Sequence, residues 1–315
     1  MPARPLHAAW AHGRAPAIEH FVGHVDVVHG TNFVVPPAHR AARVVTVHDL
    51  TALRFPEMCD PATLVFPRLV RRAVQQGAWV HTPSRFVADE VMNEFGAEPG
   101  RVRVVYHGVS LPRPGNGASV SSVPLELPGG AGRYVLAVGT VEPRKDYPGL
   151  VRAFSLVAAK DPELALVIVG ADGWGSDAFH DAVGSSAARD RITQVGYVAD
   201  DALGHVLSGA AVLAFPSLYE GFGFPPLEAM AAGIPVVATE AGAVPEIVGD
   251  GAVLVAPGDV DALADALERV LGDTEERGTL VTRGRCRVAR FTWEACGAGL
   301  ASLYRDAAQA RPGGP

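Results

Sequence analysis

Lysine is scarce in this chain: Lys145 and Lys160 stand against 25 arginines in 315 residues. Cysteine is nearly as rare. Cys59, Cys286 and Cys296 are odd in number, far apart and free of any C-x-x-C spacing. That argues against a disulfide framework or a zinc cluster, and fits a reducing, cytoplasmic compartment. No apolar run approaches the ~18 residues of a membrane span. The first residues, MPARPLHAAWAHGRAPAIEHF, lack the apolar core of a signal peptide. Charged residues are few, 19% against 48% hydrophobic, which excludes a disordered chain: enough apolar surface exists to offset ordering entropy. Positive charge is also short. The net charge is −7, from 27 basic and 34 acidic residues, which argues against a nucleic-acid partner, since phosphate contacts need a basic surface. The deficit is uneven: residues 1–110 hold 11 Arg and 9 acids, whereas residues 111–315 hold 16 basic and 25 acidic residues.

What is present is an alternation of short apolar runs and amphipathic stretches. Strands are expected at Val25–His29, Arg43–His48, Trp79–Thr82, Val102–Tyr106, Tyr134–Gly139, Ala165–Gly170, Arg191–Gly196, Ala211–Pro216, Pro235–Ala238 and Ala252–Val255. Several are apolar throughout, the pattern of strands buried on both faces in a parallel sheet. Helices are expected at Ala62–Gln75, Ser84–Phe95, Pro148–Ala159, Pro225–Ala232, Ala262–Leu271 and Trp293–Ala308. The alternation predicts a doubly wound α/β fold. Residues 112–132 are rich in Pro, Gly and Ser without periodicity and read as a linker. The chain then divides into a first lobe, 1–111, a second, 133–290, and a closing helical segment, 291–315, expected to pack back toward the first lobe.

Three segments carry chemistry. In Phe215–Gly233 a strand ends, a loop with Gly221 and Gly223 follows, and Pro225 and Pro226 suit the first turn of a helix. The amides of Phe222, Gly223 and Phe224 then stand at a helix N-terminus, a natural anion site. Glu220 and Glu228 lie eight positions apart. An ionised carboxylate only accepts hydrogen bonds, so each can hold the paired hydroxyls of a ribose or hexose. The plainer alternative is a capping Glu and a solvated helix Glu. In the second segment, Val138–Asp146, Arg144 and Lys145 project from a strand-to-helix loop, where two adjacent cations can neutralise a diphosphate, or simply meet solvent. In the third, Val44–Leu50, His48 and Asp49 end a strand of the first lobe. A histidine there can donate to a charged oxygen or shuttle a proton, although in a chain with eleven histidines a structural role is the commoner one. Weaker signals are Tyr197 and Val198 after a strand, His107-Gly108 as a hinge, and Arg68, Arg71 and Arg72 on one helix. That trio could contact an anionic lipid surface, with a solvated face as the default.

Taken together and in order, DVVHGTNFVVPP (26–37), VTVHDL (45–50), HTPSRFVADEV (81–91), VGTVEPRKD (138–146), GYVADDAL (196–203), FPSLYEGFGFPPLEAMAAG (215–233), VPEIVGD (244–250) and FTW (291–293) resemble the retaining glycosyltransferases of family 4, and within it the mannosyltransferase-B-like subgroup. The resemblance implies a GT-B fold: two doubly wound Rossmann-like lobes facing a cleft. It implies transfer of a hexose from a nucleoside-diphosphate sugar, GDP-mannose by subgroup, to a hydroxyl of a glycan, a lipid-linked or a small-molecule acceptor. No cofactor or metal is implied beyond this co-substrate. It assigns Glu220 to the donor sugar and Glu228 to the ribose. Arg144, Lys145 and the amides of Phe222, Gly223 and Phe224 fall to the diphosphate, Tyr197 and Val198 to the base, and His48 with Asp49 to the reaction centre. Peripheral contact with the inner face of a membrane is a further expectation.

Two departures stand out. Thr140 follows the glycine where many members carry Arg, with Arg144 supplying the cation. The chain also enters the family pattern near its third strand, without the opening strand and Gly-rich turn, roughly 60–70 residues. The expectation is an incomplete first lobe with impaired turnover. Two rival readings are a nucleotide-sugar-binding protein that has lost catalysis and a GT-B-fold nucleotide-sugar epimerase.

Overall fold

The computed structural model describes residue 10 and residues 16–110 and 131–310. Nearly all of the expected linker 112–132 lies outside the described residues. The molecule divides into two compact units, Met1–Gly108 with Trp293–Pro315, and Val109–Thr292.

The first unit holds β1 (Val27–Gly30), β2 (Ala42–Thr46), β3 (Trp79–Thr82) and β4 (Val102–Val104). All pair in parallel and in chain order. Its described helices are α1 (Glu19–Val22), α2 (Thr51–Arg54), α3 (Phe66–Gln75) and α4 (Arg85–Phe95). The helix expected from Ala62 begins only at Phe66, because Pro67 cannot sit inside a helix but fits its first turn. Residues Pro61–Thr63 form a separate 3₁₀ turn, capped by the Asp60 carboxylate on the Ala62 amide. Ser84 caps α4 through the Val87 amide, and Gly96, in the left-handed region, ends it. One face of the sheet packs on Val70, Val87 and Val91. On the other, Leu303 and Ala307 of the last helix meet Val44 and Trp79.

The second unit holds β5 (Arg133–Val138), β6 (Leu164–Val169), β7 (Ile192–Gly196), β8 (Val212–Phe215), β9 (Val236–Thr239) and β10 (Ala252–Val255). Its helices are α5 (Tyr147–Ala158), α6 (Asp177–Ser185), α7 (Asp200–Ser208), α8 (Phe224–Ala232), α9 (Val244–Val248), α10 (Val260–Gly272) and α11 (Thr274–Val288). The last helix, α12 (Trp293–Gln309), belongs to the first unit. The six strands are parallel in the order β10-β9-β8-β5-β6-β7. From β5 the chain runs outward through β6 and β7, then returns to place β8 on the other flank of β5. That reversal is the topological switch point of a doubly wound sheet. The loops after β5 and β8 meet there at the carboxyl edge, where open α/β sheets bind their ligands.

Strand β6 is buried along its whole length, as a strand covered by helices on both faces must be. A close approach follows it: a Cβ on Gly170 would lie 2.0 Å from the Gly139 carbonyl oxygen, so only glycine lets the loops after β5 and β6 touch. Among the described residues no helix is long and apolar enough to cross a membrane.

Candidate functional site

The crevice at the switch point is built from two loops. After β5 the chain makes a 3₁₀ turn, Pro143–Lys145, and enters α5 through Asp146. Asp146 sits in the left-handed region (φ 45°), and its Oδ1 accepts from the Gly149 amide at 3.0 Å. This tight entry turns Arg144 and Lys145 back over the sheet instead of into solvent. After β8, residues Pro216–Gly223 form the second loop and α8 begins at Phe224. The loops are tied by the Leu218 amide donating to the Arg144 carbonyl at 2.8 Å.

Glu220 is the centre of the arrangement and only 8% exposed. Its Oε1 accepts from Lys145 Nζ at 2.6 Å and from Ser217 Oγ at 2.8 Å. Its Oε2 pairs with Arg144 Nη1 at 2.7 Å. Arg144 also donates through Nη1 to the Tyr219 carbonyl at 3.1 Å and through Nη2 to Glu142 Oε1 at 2.6 Å. Lys145 is buried, its ammonium 4.9 Å from the centre of the Phe215 ring. Burial works against both charges. It is the stronger influence on Lys145, pulling its pKa down against the attraction of Glu220. In Glu220 burial pushes the carboxyl up, but Lys145 and Arg144 outweigh it and hold the group below its ordinary range.

The backbone under Glu220 is also held. Its carbonyl accepts from the Ala243 amide at 2.8 Å. Gly242 (φ 58°) lies so close that a Cβ there would stand 2.3 Å from that carbonyl oxygen. Thr239 on β9 donates to the Ser217 carbonyl.

The other expected residues of this unit line the same edge. Gly221, Phe222 and Gly223 are buried at the start of α8, Phe224 is 37% exposed and Glu228 is half-buried one turn on. The Phe222 ring packs edge-on against Phe224 and Phe291, at 5.1 and 5.9 Å. Val198 is half-buried, and Tyr197, after β7, is 81% exposed. Tyr147, which sequence reasoning passed over, donates its hydroxyl to the Gly139 carbonyl at 3.1 Å. Two more residues were missed: Glu142 and Ser217. Glu142 stands in the E-P-R-K run, two positions before Arg144, and was legible as a carboxylate of the cation loop. Nothing local marks Ser217.

The first unit carries a cluster of four histidines. His48 Nε2 donates to the Thr31 carbonyl at 2.9 Å, and its ring lies 5.6 Å from Phe33 and 5.9 Å from His107. Asp49 Oδ1 accepts from the Thr51 amide at 2.8 Å, at the start of α2. Behind them runs a hydrogen-bonded chain. The Val105 carbonyl only accepts, so His81 Nε2 carries its proton and donates to it at 3.0 Å. His81 Nδ1 then accepts from the Thr46 hydroxyl at 2.9 Å. Thr46 accepts from His29 Nε2 at 2.7 Å, and His29 Nδ1 accepts from the Tyr304 hydroxyl at 2.7 Å. Burial, then the neighbouring histidines, pull His29 and His107 down to about 4. Burial is also the main influence lowering His81.

Residues 127–287 match the family model described as "Glycosyl transferases group 1", and residues 1–113 match "Glycosyltransferase Family 4". The chain is 30% identical over 285 residues to the O-antigen chain mannosyltransferase B of Escherichia coli, covering 89% of this chain and 74% of that one. It is 32% identical over 256 residues to the MMP alpha-(1->4)-mannosyltransferase of Mycolicibacterium hassiacum, covering 77% of this chain but 57% of that one. Among solved structures it matches the sucrose-phosphate synthase of Thermosynechococcus elongatus. There the TM-score is 0.72 and the identity 27%, over 87% of this chain and 69% of that one. The chain thus spans from 57% to 74% of the length of these two curated relatives.

Proposed function

Because this chain belongs to the group 1 glycosyl transferases and has the GT-B fold, we propose that it is a retaining hexosyltransferase, and that its second unit binds a nucleoside-diphosphate sugar. The observation that carries this reading is the pairing of Arg144 and Lys145 with Glu220, in the loop that leads into the N-terminus of α8 at the switch point. Two cations and a row of helix amides suit a diphosphate whose leaving charge grows in the transition state. Tyr197 and Val198 flank the base, Glu228 reaches the ribose, and Glu220 presents a carboxylate to the sugar hydroxyls. His48 and Asp49 are assigned to the reacting groups, as the family resemblance implies. The leaving phosphate, stabilised by Arg144 and Lys145, takes the acceptor's proton on the face it departs from, so the protein supplies no nucleophile. The donor is a mannosyl nucleotide, by likeness to the two mannosyltransferases. The acceptor is a hydroxyl of a glycan, a glycolipid or a small metabolite, met with peripheral contact at a membrane face.

The test is calorimetric titration with GDP, UDP and their monophosphates, followed by mannosyl-transfer assays. Lys145→Ala should weaken diphosphate binding by about 1.5–3 kcal/mol, the scale of a hydrogen bond to a charged group, and monophosphate binding by less. Equal losses for the two ligands would remove Lys145 from the diphosphate.

A further inference from the structure

The charged side chains at the switch point cancel one another. Arg144 is shared between Glu142 at 2.6 Å and Glu220 at 2.7 Å, and Lys145 pairs with Glu220 at 2.6 Å. Two cations face two carboxylates, a formal charge of zero. The side chains alone therefore offer an arriving diphosphate no net positive charge while both carboxylates are in place.

The two carboxylates are unequally placed to do so. The Glu220 side chain is 10% exposed and holds Lys145, Ser217 and Arg144 at once, over a backbone pinned by Ala243 and Gly242. Releasing it would leave a buried ammonium short of its partner, the costly way to break a buried pair. The Glu142 side chain is 26% exposed. It can turn to water, where a carboxylate is well solvated, at small cost.

We propose that Glu142 is a positioning residue that serves as the resident counter-ion of Arg144. It holds the guanidinium over Glu220 while the site is empty and yields it to the diphosphate when the donor enters. This deepens, and rests on, the reading that Arg144 and Lys145 receive a diphosphate. The geometry also gives the arrangement a use. A diphosphate that takes the Arg144 Nη2 donor displaces Glu142, so the spent nucleotide is held less tightly than two bare cations would hold it. Arg144 meanwhile waits in place instead of being ordered anew for each donor.

The experiment compares GDP, UDP and guanosine binding to the full chain and to Glu142→Gln. The amide keeps an oxygen for Arg144 and removes the charge. The variant should bind whichever diphosphate the wild type prefers about fivefold more tightly, the scale of one partly exposed ion pair. Guanosine affinity should not change, and the gain should shrink with added salt. In transfer assays the donor KM should fall without a rise in kcat, as expected of uniform binding. Glu142→Asp, which keeps the charge, should return toward wild type, and Glu142→Ala should shift in the same direction as Glu142→Gln. A purely structural Glu142 predicts the opposite: a misplaced Arg144 and weaker binding in both uncharged variants. A wild type that binds diphosphates, with Glu142→Gln and Glu142→Ala no tighter, overturns this inference alone. A wild type that binds neither GDP nor UDP overturns the donor reading and this inference with it.

Discussion

Mild acid should loosen the first unit, and the buried histidines around His48 set the scale. His29 and His107 are held near 4 in the folded protein against an ordinary value of 6.5. As pH falls below about 6.5, the unfolded chain takes up these protons first, while the folded chain resists until about 4. Stability therefore falls with pH across that window and levels off below it. Unscreened, shifts of this size would cost about 2 kcal/mol per ring at pH 5. Both rings are part-exposed, so solvent screening reduces this to about 1 kcal/mol each, about 2 kcal/mol together. With a urea slope of about 2 kcal/mol/M, the midpoint should drop by about 1 M between pH 7.5 and pH 5. Trp79, buried in the first unit's sheet, reports this unit by fluorescence. Hydrogen exchange over β1–β3 should localise the loss there. The Glu19 carboxyl does not confuse the reading. Burial pushes it up, but amides from Arg40, Ala41 and His39 more than offset this and hold it at about 2, so its contribution is lost only at lower pH. His107→Gln should flatten the pH slope without abolishing it, because burial lowers His29 and His81 as well. An unchanged midpoint at pH 5, or a His107→Gln slope equal to wild type, would refute the reasoning.

Two further outcomes follow from the donor-side crevice. Gly242→Ala puts a methyl against the Glu220 carbonyl, 2.3 Å away, at a φ of 58°. It should destabilise the second unit by about 1–3 kcal/mol and weaken diphosphate binding, read by thermal melting and calorimetry; wild-type values for both would show that the loop is free to move. Ser217→Ala removes a 2.8 Å hydrogen bond from the Glu220 carboxylate and should cost about 1.5 kcal/mol or more of stability, with Ser217→Thr recovering part of it. A cost within error would mean that Lys145 and Arg144 alone hold the carboxylate.

The sequence by itself determined the elements whose signal is local. All ten expected strands are present within a residue or two at most ends, because runs such as Leu164–Val169 are apolar on both faces and short enough to exclude a helix. The α8 start was legible in Gly223, Pro225 and Pro226, since the torsional limits of glycine and proline are intrinsic to the residue. Helix α11 was not legible: Thr274–Val288 is polar around its circumference and buries only Leu280 and Gly284, so it leaves no apolar stripe to read. Helices α6 and α7 were likewise passed over. Tertiary structure alone decided strand order. A parallel crossover reads the same in sequence whether it carries the chain outward or back across β5, and that return puts residues 144–145 and 217–220 side by side. The eight-residue spacing of Glu220 and Glu228 suggested two carboxylates turned toward a donor. It could not show that Glu220 is already bound by Lys145, Arg144 and Ser217, or that Glu142 shares Arg144. The chain from Tyr304 through His29 and Thr46 to His81 is equally non-local, joining positions 275 residues apart at its first link. Ion pairs and hydrogen bonds act over a few ångströms, so which charges cancel and which histidines stay neutral depend on distances that exist only once the sheets have formed.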